Sequence, residues 1–212
     1  GATRPDTIAQ LAAALERDPG AQAAGARVLA KPGDETHHDE GVRAVDWLPG
    51  TATVYRRDAF LELGGFDPAF FMYCEDVDLS RRARNNGWRL LLVTDALFDH
   101  TRSFHRIEEL RRIRMWAASN TKLVYQYAPS RRRALVRLAT QRAVWFRDLA
   151  RDRRFWTLAG AMLGSVEWSA SLVQLERRRR QPWDSGGLDA WLRTADPGLR
   201  ATELLLPPNF AE

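Results

Sequence analysis

Near residue 105 the hydrophobic spacing of this chain changes character, and that change limits the folds open to it. Before it, short apolar runs alternate with helical patterns; after it the spacing is helical only. Such alternation belongs to α/β domains, whereas a purely helical continuation packs on itself or on another surface. A hundred residues are too few for a complete doubly wound sheet, so part of one is expected. The chain as a whole is long enough to bury a real core.

The elements follow from local signals. Ile8, Leu11, Ala12 and Leu15 give a helix over Asp6–Arg17, which Asp18-Pro19-Gly20 stops. Ala23–Leu29 is a buried strand, and residues 31–41 form a polar loop in which His37 and His38 are solvated. Residues 44–55 hold two short strands, Ala44–Trp47 and Ala52–Tyr55, about a turn at Pro49-Gly50. A helix over Arg57–Leu63 ends at Gly64-Gly65, a second over Val77–Asn86 ends at Gly87, and a strand over Arg89–Val93 leads to Asp99-His100. Beyond Ile107 one helical run reaches Pro129, and two more cover Arg131–Arg151 and Arg153–Arg180. The tail from Gln181 to Glu212 is expected to be irregular.

Charge divides along the same line. Residues 1–100 carry 11 basic and 16 acidic groups, residues 101–180 carry 19 and 6, and residues 181–212 carry 2 and 5. A basic helical region suits an anionic membrane, an anionic ligand or nucleic acid; no nucleic-acid-binding signature accompanies it. Arg131–Arg133, Arg151, Arg153-Arg154 and Arg177–Arg180 punctuate helices bearing Trp145, Phe146, Phe155, Trp156 and Trp168, aromatics that fit either a membrane interface or a core. Phe155–Leu175 is the stretch nearest to a membrane span. Glu167 at its centre would cost about 2.5–3.5 kcal/mol there, so a packed or interfacial helix is expected, and Gly160 and Gly164 within it are a weak packing signal. No signal peptide is visible at the start. Cys74, the single cysteine, excludes a disulfide framework and a cysteine-based zinc site.

The chemistry concentrates in Phe66–Leu79. Glu75, Asp76 and Asp78 put three carboxylates at a helix start, after the apolar Phe70–Tyr73. Helix capping alone accounts for such a cluster. Clustered carboxylates also raise one another's pKa, which suits a general base, and with His100 at a strand end they suit a divalent cation.

Several runs together carry a resemblance: Val45-Asp46-Trp47-Leu48-Pro49-Gly50-Thr51-Ala52, Arg56–Phe60, Gly64-Gly65-Phe66-Asp67, Phe70 through Arg82, Gly87-Trp88 and His100. In that order and spacing they resemble the acceptor-side half of a family 2 inverting glycosyltransferase, most similar to bacterial rhamnosyltransferase-like members acting on cell-wall or surface polysaccharide. The resemblance implies a partial GT-A (Rossmann-like) sheet with flanking helices over residues 1–104. A basic all-helical region over 105–180 and an irregular tail over 181–212 would follow.

It also implies roles. Asp76 would be the catalytic base and Glu75 would orient the acceptor; Trp47, Gly50, Thr51, Ala52 and Asp78 would lie on the acceptor side; His100 would reach a divalent metal, Mg²⁺ or Mn²⁺, or the diphosphate. The implied partners are a nucleotide-sugar donor and a glycan or lipid-linked acceptor. The basic helices would rest on the anionic inner face of the cell membrane, which makes the protein cytoplasmic and peripheral.

In the family an Asp-x-Asp and the nucleotide-binding strands precede the helix matched by Asp6–Arg17. The chain alone is therefore expected to lack a donor site, to be inactive by itself and to be a fragment. It would expose a sheet edge that favours oligomerisation. The alternative is a non-catalytic basic module, binding membrane or protein, on a degenerate transferase remnant.

Overall fold

A computed structural model describes residues 2–29, 41–70, 72–100, 106–151, 159–164 and 166. The chain divides into two compact units, residues 1–104 and 105–212.

In the first unit the elements run β1 (Ala2–Thr3), α1 (Thr7–Arg17), β2 (Ala21–Leu29), β3 (Val42–Ala44), β4 (Thr53–Tyr55), α2 (Arg57–Glu62), α3 (Glu75–Asn85) and β5 (Arg89–Asp99). β2 and β5 pair in parallel at the centre. β4 lies antiparallel on the far side of β2, while β3 and β1 pair antiparallel with the first and last parts of β5. Parallel neighbours need a crossover, and the segment carrying β3, β4, α2 and α3 supplies it. Alanine is a poor strand former, yet Ala21, Ala23, Ala24 and Ala26 hold the middle of the sheet because small side chains let helices pack close on both faces.

Strand alternation sorts the two faces. Leu11, Ala14 and Leu15 of α1 pack with Ala24, Ala26, Leu91 and Val93, while Ala83 of α3 packs with Ala23, Leu48 and Leu90. The result is a helix–sheet–helix arrangement, the α/β fold of partial GT-A type that the sequence suggested. Arg56 ties its corner together. Its guanidinium donates to the carbonyls of Leu15, Asp18 and Ala21, at and just beyond the end of α1 where carbonyls lack helical partners.

Three of the boundaries that differ from expectation bear on the site, while β2 starts two residues early, at Ala21. β5 runs six residues past Val93, because the Thr94 hydroxyl takes the Gly41 N–H at 2.8 Å and contacts its carbonyl at 2.9 Å. The register shift at Ala26/Arg27 then lets Leu97–Asp99 pair with Arg27–Leu29. The first of the two short strands falls at Val42–Ala44 rather than Ala44–Trp47 and pairs with β5, not with β4. α3 begins at Glu75 rather than Val77, since Tyr73 and Cys74 both adopt left-handed backbone, φ 68° and 65°, and turn the chain into the helix two residues early. His37 and His38 lie outside the described residues.

The second unit contains α4 (Arg106–Tyr127) and α5 (Arg131–Arg151), separated at Pro129 as expected, with residues 159–164 helical again. The rings of Trp116 of α4 and Trp145 of α5 lie 4.4 Å apart, tilted by 38°. Arg142, itself buried, sits 4.1 Å over the Trp145 ring and donates to the Ala117 carbonyl at 3.0 Å and the Thr121 hydroxyl at 2.6 Å. Trp145 is thus a core residue, and Phe155, Trp156 and Trp168 lie outside the described residues. Gly160 and Gly164 pack directly on α4. A Cβ on Gly160 would come 2.8 Å from the Leu110 carbonyl oxygen, and one on Gly164 would come 2.1 Å from that of Arg114. No helix among the described residues is long and apolar enough to cross a membrane; most of Phe155–Leu175 lies outside them.

Candidate active site

Glu75 and Asp76 occupy the first turn of α3, where the helix dipole favours negative charge. The helix is preceded by Cys74 in the left-handed region, which gives no side-chain cap bond. Two consecutive non-glycine residues at positive φ cost free energy, on the order of 1–3 kcal/mol each, and such strain gathers at functional sites. Here its effect is to bring both carboxylates to the helix start beside the Pro49-Gly50 turn.

Asp76 is the better anchored of the pair. Its Oδ2 accepts the Gly50 N–H at 2.9 Å and its Oδ1 accepts the Val77 N–H at 2.8 Å. Burial pushes its pKa up, and those backbone donors pull part of the way back. Glu75 is raised by burial as well, with the Asp76 charge adding to the effect, and its Oε2 has no hydrogen-bond partner among the described residues. The Cys74 thiol is pushed well up, first by burial and then by the Asp76 and Glu75 charges, so it stays protonated.

The remaining expected residues divide. Gly50 touches Asp76, and Thr51 beside it is exposed. Ala52 turns the other way, packing on the α1 face, with its carbonyl taken by the Ala26 N–H at 2.9 Å. Trp47 is half-buried. Asp78, expected on the acceptor side, is fully buried instead. Arg82 grips it through Nε at 2.8 Å, and its other nitrogens donate to the carbonyls of Leu63 and Gly65. That clamp fastens α3 to the Gly64-Gly65 turn, where both glycines take positive φ.

His100 follows β5, its N–H on the Leu29 carbonyl at 3.0 Å and its ring 6.0 Å from Phe98. Among the described residues no three His, Cys, Asp or Glu side chains gather to hold a metal.

Pattern reading of the sequence assigned no role to Arg82, Arg56 or Tyr55. The spacing Asp78–Arg82, one helical turn apart, was a visible signal for the first. Tyr55 was visible only as one member of an alternating strand.

The model of the glycosyl transferase family group 2 matches residues 39–175, a span that includes Gly50, Glu75, Asp76 and His100. The chain belongs to that family. It is 34% identical over 140 residues to an N-acetylglucosaminyl-diphospho-decaprenol L-rhamnosyltransferase of Mycobacterium tuberculosis, an alignment covering 65% of this chain and 40% of the relative. It is 46% identical over 49 residues to the rhamnosyltransferase WbbL of Escherichia coli K12, covering 23% of this chain and 19% of the relative. The chain thus spans about two fifths of the Mycobacterium relatives it matches.

Proposed function

We propose that this chain forms the acceptor side of an inverting glycosyltransferase that moves a sugar, rhamnose by analogy with the relatives, from a nucleotide donor to a cell-envelope acceptor. The observation that carries the proposal is the Asp76 carboxylate, fixed by the Gly50 N–H, raised in pKa and adjacent to Glu75 at a helix start. A base held in place by backbone and raised toward the working pH is suited to take a proton from a hydroxyl. In this reading the acceptor oxygen attacks the anomeric carbon as its proton passes to Asp76. The bond to the nucleoside diphosphate breaks on the opposite face, and the diphosphate leaves with the electron pair. Glu75, whose Oε2 has no partner among the described residues, accepts a hydrogen bond from the acceptor and orients it.

The name of the Mycobacterium relative suggests an N-acetylglucosaminyl-diphospho lipid as acceptor. With a lipid-linked acceptor the protein would work at the membrane surface, in this reading its cytoplasmic face. There α5 would meet anionic headgroups through Arg132 and Arg133, exposed near exposed Leu135 and Val136, and through exposed Arg147 and Arg151 further along the helix. A divalent cation with His100 as one ligand needs further ligands from outside the described residues.

The test is a sugar-transfer assay on a polypeptide that joins this chain to a family nucleotide-binding segment, with and without Asp76→Asn. Transfer lost in the variant supports the assignment; an Asn variant that keeps most of the activity removes Asp76 as the base.

A further inference from the structure

β4 carries two hydroxyls on the face it turns toward α3. Ala52 and Val54 pack into the α1-side core, whereas Tyr55 packs with the Ala23, Leu48 and Ala83 group on the α3 side. Thr53 shares that side, since a Cβ placed on Gly25 would meet the Thr53 hydroxyl at 3.1 Å and Leu48 at 2.7 Å. The Thr53 hydroxyl donates to the Pro49 carbonyl at 2.8 Å, and the next residue, Gly50, is the one whose N–H holds Asp76. The Thr53 hydroxyl therefore borders the turn that the base grips, and Tyr55 follows it on the same face of the strand.

Tyr55 is also held rigidly. Its ring meets Phe60 at 5.4 Å and Phe66 edge-on at 6.1 Å, while the side chain keeps partial exposure. Burial first, and the charges of Asp76 and Glu75 next, raise the pKa of its phenol and hold it protonated. Glu75 and Asp76, when ionised, can only accept hydrogen bonds. A sugar has lone pairs to satisfy as well as hydroxyl protons to give, so a site made of carboxylates alone would leave acceptor oxygens unpaired.

We propose that Tyr55 is a substrate-binding residue whose hydroxyl donates a hydrogen bond to an oxygen of the acceptor sugar, beside the hydroxyl that Asp76 deprotonates. Tyr55 keeps its own proton throughout; it fixes the sugar while Asp76 does the proton transfer. The inference rests on the transferase reading above.

The experiment titrates the chain and its Tyr55→Phe variant with a short-alkyl N-acetylglucosaminyl-diphosphate and with deoxy analogues lacking one sugar hydroxyl each. The phenylalanine keeps the aromatic contacts, so the melting temperature should hold. The variant should bind the parent compound about tenfold more weakly. One deoxy analogue should lose about as much against the wild-type chain and nothing further against the variant, the non-additive cycle of a direct contact. Tyr55 is overturned if the variant binds the parent as tightly as wild type, or if every deoxy analogue loses equally against both proteins. If neither protein binds the parent compound, the transferase reading of the acceptor side falls, and this inference with it.

Discussion

Two buried polar sites, one in each unit, are treated in opposite ways. In the helical unit Arg142 is buried beneath Trp145 with its nitrogens on the Ala117 carbonyl and the Thr121 hydroxyl, and the backbone of α5 about it is regular helix. In the α/β unit Glu75 keeps an oxygen with no partner among the described residues, Asp76 is raised in pKa, and the two residues before them are held at positive φ. A buried group that is fully satisfied in unstrained backbone serves architecture. One that is left unsatisfied by a strained turn is available to something that arrives later. Arg82 shows that the distinction follows the site rather than the unit: it lies in the α/β unit, six residues along the same helix from Asp76, and its clamp on Asp78, Leu63 and Gly65 belongs to the first kind.

The sharpest way to break this comparison is Asp76→Asn. If Asp76 is the base, transfer by the joined enzyme should fall by about 10²–10⁴-fold. Stability should change little by comparison. The two backbone donors bind different oxygens of Asp76, so an asparagine must turn its NH₂ onto one of them, at a cost of roughly 1 kcal/mol. A melting curve beside the rate separates the two effects; a large drop in melting temperature would make Asp76 architectural.

Asp78→Ala should give the reverse pattern. It leaves the Arg82 guanidinium buried without its carboxylate, and breaking such a pair costs about 3–5 kcal/mol. Denaturant unfolding of the single variant and of Asp78→Ala with Arg82→Met checks this, the double variant recovering part of the loss. A stable Asp78→Ala chain would reopen an acceptor-side role for that residue.

The same contrast governs what could be read before the structure. α1 and the stop at Gly87 were legible because helix spacing and glycine terminators act locally, and the Glu75-Asp76 pair was legible because its carboxylates crowd one turn. The full length of β5 was not, since it depends on Thr94 meeting Gly41 some fifty residues away in sequence. Nor was the inward turn of Asp78, which needs to be known together with the carbonyls left over at Leu63 and Gly65. Trp145 was ambiguous by composition, and only its packing against Trp116 resolves it as core. Local chemistry announced the candidate site, while tertiary partners decided which of its members point outward.

A smaller effect tests the helical side. Gly164→Ala would put a methyl against the Arg114 backbone carbonyl, which cannot swing away as a side chain can, and forcing the helices apart should cost about 1–3 kcal/mol. Gly50→Ala is its control in the other unit. The new Cβ there would sit 3.5 Å from the Asp76 Cβ, an ordinary contact, so unfolding should move by less than about 0.5 kcal/mol. Equal losses at the two glycines would mean that the close approach of residues 160–164 to α4 carries no stability.

The smallest effect concerns Glu75, and its sign follows from the raised pKa. Burial favours the protonated form, so this group's contribution is fully favourable below its unfolded pKa and is lost as pH rises through its higher folded value. At neutral pH the ionised Glu75 therefore weighs against the fold, and its Oε2, with no partner among the described residues, gains nothing in return. Glu75→Gln removes that charge and also the repulsion it exerts on Asp76. The variant should be more stable than wild type at pH 7, by less than about 1 kcal/mol since the side chain is only half-buried. The gap should close as pH falls below the ordinary carboxylate range, where wild type also carries a neutral side chain. Melting temperatures of the two chains across acidic to neutral pH check it. A variant that is less stable at every pH would show that Glu75 is held by interactions of the satisfied kind, and the contrast with Arg142 would then rest on Asp76 alone.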